Sequence, residues 1–125
     1  AALHLRGCVR LRGVIANGGQ QARARARLAL CLLNHLRVTG VPVGAGSEGK
    51  PYTARPHEYA MEGFASTADA DIKPGADLLA KIFRSAGARS LSVVCISSLR
   101  DLAELIAVSP ELVVAKTRAV VIQGG

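Results

Sequence analysis

The feature that most constrains this chain is an apolar run that stops abruptly at small residues. Residues 9–19 read VRLRGVIANGG, so aliphatic side chains give way at once to Asn17 and a pair of glycines. In an α/β protein, a buried strand of this kind points its carboxyl end at the ligand side of the sheet. Asn17 can donate and accept hydrogen bonds there, and glycines let a bound molecule approach the backbone. The run therefore predicts a strand over 9–16 that ends at a pocket.

Strand and helix patterns alternate along the rest of the chain. Further strands are predicted over 41–46, 90–96 and 118–125, helices over 20–37, 75–87 and 99–108, and a short helix that restarts over 109–112. Residues 47–74 carry prolines and glycines with little periodicity and are predicted to form a long loop or lid. Strands separated by helices favour right-handed crossovers. We therefore expect an α/β fold with an open, mostly parallel sheet flanked by helices in a Rossmann-like, three-layer arrangement.

The predicted strands share small polar residues at their carboxyl ends. These ends are 17–19, 44–47, 96–98 and 123–125. Because parallel strands end at the same edge of a sheet, we expect the ends to gather there and line a ligand site. The alternative to a ligand site is that these residues serve only the turn geometry, since short loops need Gly, Ser and Asn. Ser98 is predicted to cap the following helix, with Asp101 completing a capping box.

Composition places the chain among folded intracellular proteins. It has 125 residues, of which 50% are hydrophobic and only 3% aromatic, so one domain with an aliphatic core is expected. Its three cysteines lie far apart without a C-x-x-C pair, which favours reduced thiols and a cytoplasmic location. The longest apolar run is too short to span a bilayer, so we expect no membrane partner.

The chain is basic, with a net charge of +7. Arg23, Arg25 and Arg27 lie in the predicted helix 20–37 and would attract an acidic partner. Aromatic residues for base stacking are not interleaved with them, so nucleic acid is not the expected partner and a solvated helix face is the simpler interpretation. A non-catalytic α/β binding or interaction module with a basic surface is the alternative function.

His57 is the one histidine in the predicted lid, next to Glu58 and close to Glu62. A loop histidine above a pocket could contact a substrate or act as a general acid. An exposed surface histidine is the alternative interpretation.

Three segments together resemble the inosine/uridine-preferring nucleoside hydrolase family. GVIAN (13–17), the helix ARLALCLLNHL and then VPVGAG are similar to that family's strand ending in Asn, its helix and its VPV segment. SVVCISSLRDLAELIAVSPEL (92–112) resembles VxxGPLTNLALAL followed by PEL, and KTRAVVIQGG (116–125) resembles VVxMGG. The order and spacing of these segments agree across nearly the whole chain.

The resemblance implies an enzyme that hydrolyses the N-glycosidic bond of purine and pyrimidine ribonucleosides. In that family, Ca²⁺ at the strand ends and an Asp position the water that attacks the ribose. Asn17 matches an Asn near the ribose, and Ile96 matches the position whose backbone carbonyl binds Ca²⁺. His57 loosely matches a loop near the base, which makes it the second candidate for substrate binding.

The chain also departs from the family pattern. An Asp-rich DxDxxxDD strand, which supplies most calcium ligands and the catalytic base, would lie upstream of Ala1, and a late Asp and His would lie beyond Gly125. GPLTN is replaced by SSLRD at 97–101, and VxMGG by VIQGG at 121–125. We therefore expect residues 1–125 to be a single partial domain, truncated at both ends and inactive alone, whose catalytic residues are unknown. Homo-oligomerisation is left open.

Overall fold

The structure is a computed structural model that describes residues 2–53, 55 and 57–123. Its helices are α1 (Ala2–Leu5), α2 (Ala22–His35), α3 (Gly75–Ser85), α4 (Arg100–Val108) and α5 (Pro110–Lys116). Its strands are β1 (Val14–Ala16), β2 (Val43–Ala45), β3 (Ile72–Pro74), β4 (Leu91–Cys95) and β5 (Thr117–Ile122). A single 3-10 turn, Asp69–Asp71, leads into β3. The predicted α/β class, with parallel strands in open sheets and flanking helices, is confirmed.

The described strands form a three-stranded and a two-stranded sheet rather than one continuous sheet. β2 lies between β1 and β3 in the first sheet, β4 pairs with β5 in the second, and all these pairings are parallel. The chain therefore crosses the first sheet in one direction and then returns through α3, so that the loop after β4 meets the end of β1. In open α/β sheets, ligands bind in the crevice at the carboxyl ends of the strands.

Two apolar clusters fill the space between sheets and helices. The first, around α2 and β2, contains Ala26, Leu33, Val38, Val41, Val43 and Ile72. The second, between α3, α4, α5 and β4, contains Phe83, Ala86, Leu91, Leu102, Leu105 and Val113. Side chains alternate along β2, so Val43 packs in the first cluster while Gly44 faces Leu78 of α3. The helices α2 and α3 therefore cover opposite faces of the first sheet.

The first strand is much shorter than the prediction of 9–16. It begins at Val14, whose N–H donates to the Pro42 carbonyl at 3.0 Å, and residues 9–13 are not part of a strand. Proline has no N–H, so Pro42 cannot extend the ladder toward residues 9–13. The pairing partner therefore limits β1, although the apolar pattern extends further.

The segment predicted as a lid, 47–74, ends in the strand β3. Ile72, Lys73 and Pro74 pair in parallel with Val43, Gly44 and Ala45. Such a short edge strand ending in proline has no recognisable alternation, which explains why the pattern did not indicate it. The remaining predicted elements are confirmed with small changes at their ends, and the last two residues of the predicted strand 118–125 lie outside the described residues.

Candidate functional site

A group of polar side chains joins the carboxyl ends of β1, β2 and β4. It consists of Asn17 after β1, Ser47 after β2, Ser97 and Ser98 after β4, and Asp101 in the first turn of α4. We call this group the strand-end cluster. It lies at the carboxyl ends of these parallel strands, which is the side on which open α/β sheets bind ligands.

Asn17 is at the centre of the strand-end cluster and is only 6% exposed. Its Nδ2 donates to the Ser98 carbonyl at 3.0 Å and to Asp101 Oδ2 at 2.5 Å. Its Oδ1 accepts from Ser97 Oγ at 2.5 Å. These bonds use both amide hydrogens and leave one lone pair on Oδ1. The sequence therefore identified a residue at the strand ends correctly, and the structure adds that its side chain ties β1 to the loop after β4.

Asp101 connects the strand-end cluster to β2. Its Oδ1 accepts from the Ser47 N–H at 2.7 Å, and its Oδ2 accepts from Ser47 Oγ at 3.0 Å as well as from Asn17. Gly46 leaves the room for this carboxylate, since a Cβ there would lie 2.5 Å from Asp101 Oδ1.

The predicted capping box at the start of α4 is wrong. Leu99 occupies the N-cap position and makes no side-chain capping bond, while Ser98 Oγ accepts from the Arg100 N–H at 3.3 Å. The Asp101 carboxylate turns across the crevice instead, because buried donors there need an acceptor. In the sequence, an Asp in the first turn of a helix is explained by helix capping, so Asp101 was not predicted as a residue of the site.

At the amino terminus of α2, a carboxylate already accepts a hydrogen bond from the backbone. Glu48 Oε2 accepts from the Ala22 N–H at 3.0 Å, and Arg25 Nη1 donates to the Asn17 carbonyl at 3.0 Å. A helix amino terminus after a glycine pair commonly binds a phosphate. Here the Glu48 carboxylate already accepts from the Ala22 N–H that a phosphate would use.

The three arginines of α2 hold the segment 47–71 rather than forming a free basic surface. Arg23 and Arg27 contact the Asp69 carboxylate at 3.3 Å and 2.6 Å, and Arg25 lies 3.7 Å from Glu58. The hydrogen bond from Arg27, supported by the bond from Arg23, holds the pKa of the Asp69 carboxyl below its usual range. The observation behind the basic-module hypothesis therefore has an intramolecular explanation.

The other two predicted site residues, Ile96 and His57, lie at different distances from the strand-end cluster along the fold. Ile96 follows β4 directly and precedes Ser97, so its backbone lies in a loop of the strand-end cluster, and the residue is 71% exposed. His57 is exposed in a turn, and no hydrogen bond among the described residues joins its side chain to the cluster. Its neighbour Glu58 nevertheless approaches Arg25, which contacts the Asn17 carbonyl.

The described residues do not fit Ca²⁺ by themselves. Calcium takes six to eight oxygen ligands, usually with several carboxylates among them. The strand-end cluster has the single carboxylate of Asp101, which already accepts hydrogen bonds from Asn17 and Ser47. Nowhere in 2–53, 55 and 57–123 do three His, Cys, Asp or Glu side chains come together to hold a metal ion.

Comparison with protein-family models, with curated proteins and with solved structures finds no match for this chain. The nucleoside hydrolase resemblance therefore stays a prediction from the three sequence segments. Among the described residues, no helix has both the length and the apolar character needed to cross a membrane.

Proposed function

We propose that this chain forms the substrate-binding edge of a nucleoside hydrolase-like domain, which cleaves the N-glycosidic bond of ribonucleosides in the full-length protein. The observation that carries the proposal is the buried Asn17 at the carboxyl end of β1, bonded to Ser97, Ser98 and Asp101 from the segment after β4. The resemblance of GVIAN, SVVCISSLRDLAELIAVSPEL and KTRAVVIQGG to the nucleoside hydrolases supports the same reading.

Asn17 is the proposed substrate contact, through the remaining lone pair of its Oδ1. A ribose hydroxyl that donates to this oxygen would be held without breaking the bonds of Asn17 to its neighbours. Asp101 is a positioning residue, because its carboxylate accepts from Nδ2 and so determines which way the amide is turned. No described residue is assigned as the general acid, the general base or the nucleophile.

An uncharged nucleoside suits this crevice better than a nucleotide. The carboxylate of Glu48 already accepts from the Ala22 N–H at the start of α2. A phosphate bound there would have to displace this carboxylate from the Ala22 N–H. We therefore propose inosine or uridine as the class of substrate, in agreement with the sequence resemblance.

The test is ribose release from inosine and uridine by the protein expressed from its complete reading frame. Replacing Asn17→Ala should lower kcat/KM at least about tenfold, since a hydrogen bond to the sugar is lost and the amide that frames the site is removed. Asn34→Ala is the matched control, because Asn34 is exposed on α2 and makes no side-chain bond to the strand-end cluster.

Thermal unfolding and calorimetric binding of inosine separate a folding defect from a binding defect. The proposal expects Asn17→Ala to weaken inosine binding at temperatures where the variant is still folded. Equal activity of the Asn17 and Asn34 variants would overturn the role of Asn17. A folded protein that releases no ribose and binds no nucleoside would overturn the hydrolase proposal.

The second candidate function is a non-catalytic α/β binding or interaction module. It is favoured by one observation, namely that Asn17 and Asp101 already satisfy each other and their neighbours without any ligand. Absence of nucleoside binding by the folded protein would assign this function instead.

We further propose an intracellular, cytoplasmic location. Cys8, Cys31 and Cys95 are all unpaired in the structure, and Cys31 is buried with its Sγ donating to the Glu62 carbonyl at 3.3 Å. Reduced thiols of this kind are typical of proteins from reducing compartments.

A further inference from the structure

A groove runs along α3 on the face of the first sheet that is opposite α2, away from the strand-end cluster. Its volume is about 340 Å³, within the range of small-molecule sites. Its apolar floor includes Pro42, Leu78 and Ile82. We call it the α3 groove.

Positive charge surrounds this floor. Arg12 comes from the segment before β1, Lys73 from β3 and Lys81 from α3, so three different parts of the fold direct cations to one groove. Asp77 is the only acidic residue in its lining. Within the part of the chain that the structure describes, none of these three cations forms an ion pair, in contrast to Arg23, Arg25 and Arg27.

The arrangement separates charge from apolar surface along the helix. Asp77, Lys81 and Ser85 are four residues apart and form one stripe of α3, while Leu78 and Ile82 form the adjacent stripe. Ile82 reaches the backbone before β1, since a Cβ on Gly13 would lie 2.6 Å from its Cδ1. An occupant of the groove would therefore meet apolar side chains below and cationic groups at the rim.

We propose that the α3 groove binds a small organic anion. Its apolar body lies on Pro42, Leu78 and Ile82, and its carboxylate, sulfonate or phosphate group is held by Arg12, Lys73 and Lys81. A second copy of this chain is a poor occupant, because the chain carries a net charge of +7 and the groove is itself cationic. The proposal is independent of the nucleoside hydrolase function.

The experiment compares two fluorescent probes that share an aromatic body. Anilinonaphthalene sulfonate carries the anionic group, and phenylnaphthylamine lacks it. Each is titrated into the protein expressed from its complete reading frame, at low and at high salt. We expect the sulfonate probe to bind more tightly and to lose affinity with added salt, because its head group is held by partly exposed cations.

Charge reversal then locates the site. The double variant Lys73→Glu/Lys81→Glu should lower the affinity for the sulfonate probe at least about fivefold. Its affinity for phenylnaphthylamine should stay within about twofold of the wild-type value. The control Arg6→Glu/Arg84→Glu makes the same change of net charge at exposed residues outside the groove and should leave both affinities within about twofold.

Three results would overturn the proposal. The first is an unchanged affinity of the Lys73/Lys81 variant for the sulfonate probe, which would place the probe on another apolar surface such as the exposed β4–β5 sheet. The second is an equal loss of affinity in the control variant, which would indicate a general effect of net charge. The third is tighter binding of phenylnaphthylamine than of the sulfonate. Circular dichroism establishes that both double variants are folded.

Discussion

Asp101, in the first turn of α4, accepts hydrogen bonds from two other residues. Its oxygens accept from the Ser47 N–H, from Ser47 Oγ and from Asn17 Nδ2. Asn17 is buried, so water cannot easily replace the lost acceptor when the carboxylate is removed. A single side chain therefore links the ends of β1 and β2 to the helix after β4.

Replacing Asp101→Ala is expected to lower the free energy of unfolding by about 1–3 kcal/mol, because it leaves the donors of Asn17 and Ser47 unsatisfied. Urea unfolding measures this change. The control Glu104→Ala lies on the same helix and removes only an exposed ion pair with Arg100, so it should cost no more than about 0.5 kcal/mol. Similar losses in the two variants would contradict the bridging role of Asp101.

The helix α2 and the segment 47–71 are held together mainly by polar contacts. Arg27 bonds to Asp69 while its guanidinium lies 5.4 Å from the centre of the Phe64 ring. Tyr59 stacks on Phe64 and donates to Gln21 Oε1 at 2.5 Å. A segment attached through charged groups rather than through a core depends on their protonation.

Acid should loosen this segment. The pKa of Asp69 is lowered by its hydrogen bond from Arg27, so its stabilising contribution is present above the ordinary pKa of 3.8 and is lost as the pH falls through the lower folded value. Hydrogen exchange should therefore show falling protection of residues 57–71 below about pH 4.

The variant Asp69→Asn separates this effect from acid unfolding of the whole chain. It should show reduced protection of residues 57–71 already at neutral pH, with the amides of β2 unchanged. Wild-type protection of the segment at neutral pH in this variant would contradict the role of Asp69.

The two sheets differ in how well they are covered. The first sheet has α2 on one face and α3 on the other, and Val43 is fully buried. In the second sheet, Val94 and Val121 are register partners on one face and remain 64% and 55% exposed. The strand β5 therefore contributes little burial for its length, and local opening should require less free energy there.

Native-state hydrogen exchange should show this difference directly. We expect the amides of β5 that pair with β4 to exchange through openings of lower free energy than the amides of β2, which lies between two strands. The comparison is made in one sample under mild denaturant. Equal opening free energies in β5 and β2 would contradict the prediction.

The sequence predicted the elements whose patterns are long and regular. The helices α2, α3 and α4 and the strand β4 lie where periodicity indicated, because burial of one helical face or of a strand interior leaves a local signature. It did not predict β3, whose pattern is too short, or the true length of β1, which depends on Pro42 in another strand. The polar strand end at Asn17 was correctly located, whereas, among the described residues, the side chain of His57 makes no hydrogen bond to the strand-end cluster.

By itself, then, the sequence determined the α/β class, the alternation of the longer helices and strands, and the polar character of the strand ends, since these follow from residue types close together along the chain. Only the tertiary structure decided what those polar groups bind. Asn17 and Asp101 are 84 residues apart and bond to each other because the segment after β4 meets the carboxyl end of β1. Likewise, Arg12, Lys73 and Lys81 surround one groove only after α3 has packed on the sheet. Contacts between distant residues depend on the path of the chain, which no local pattern contains.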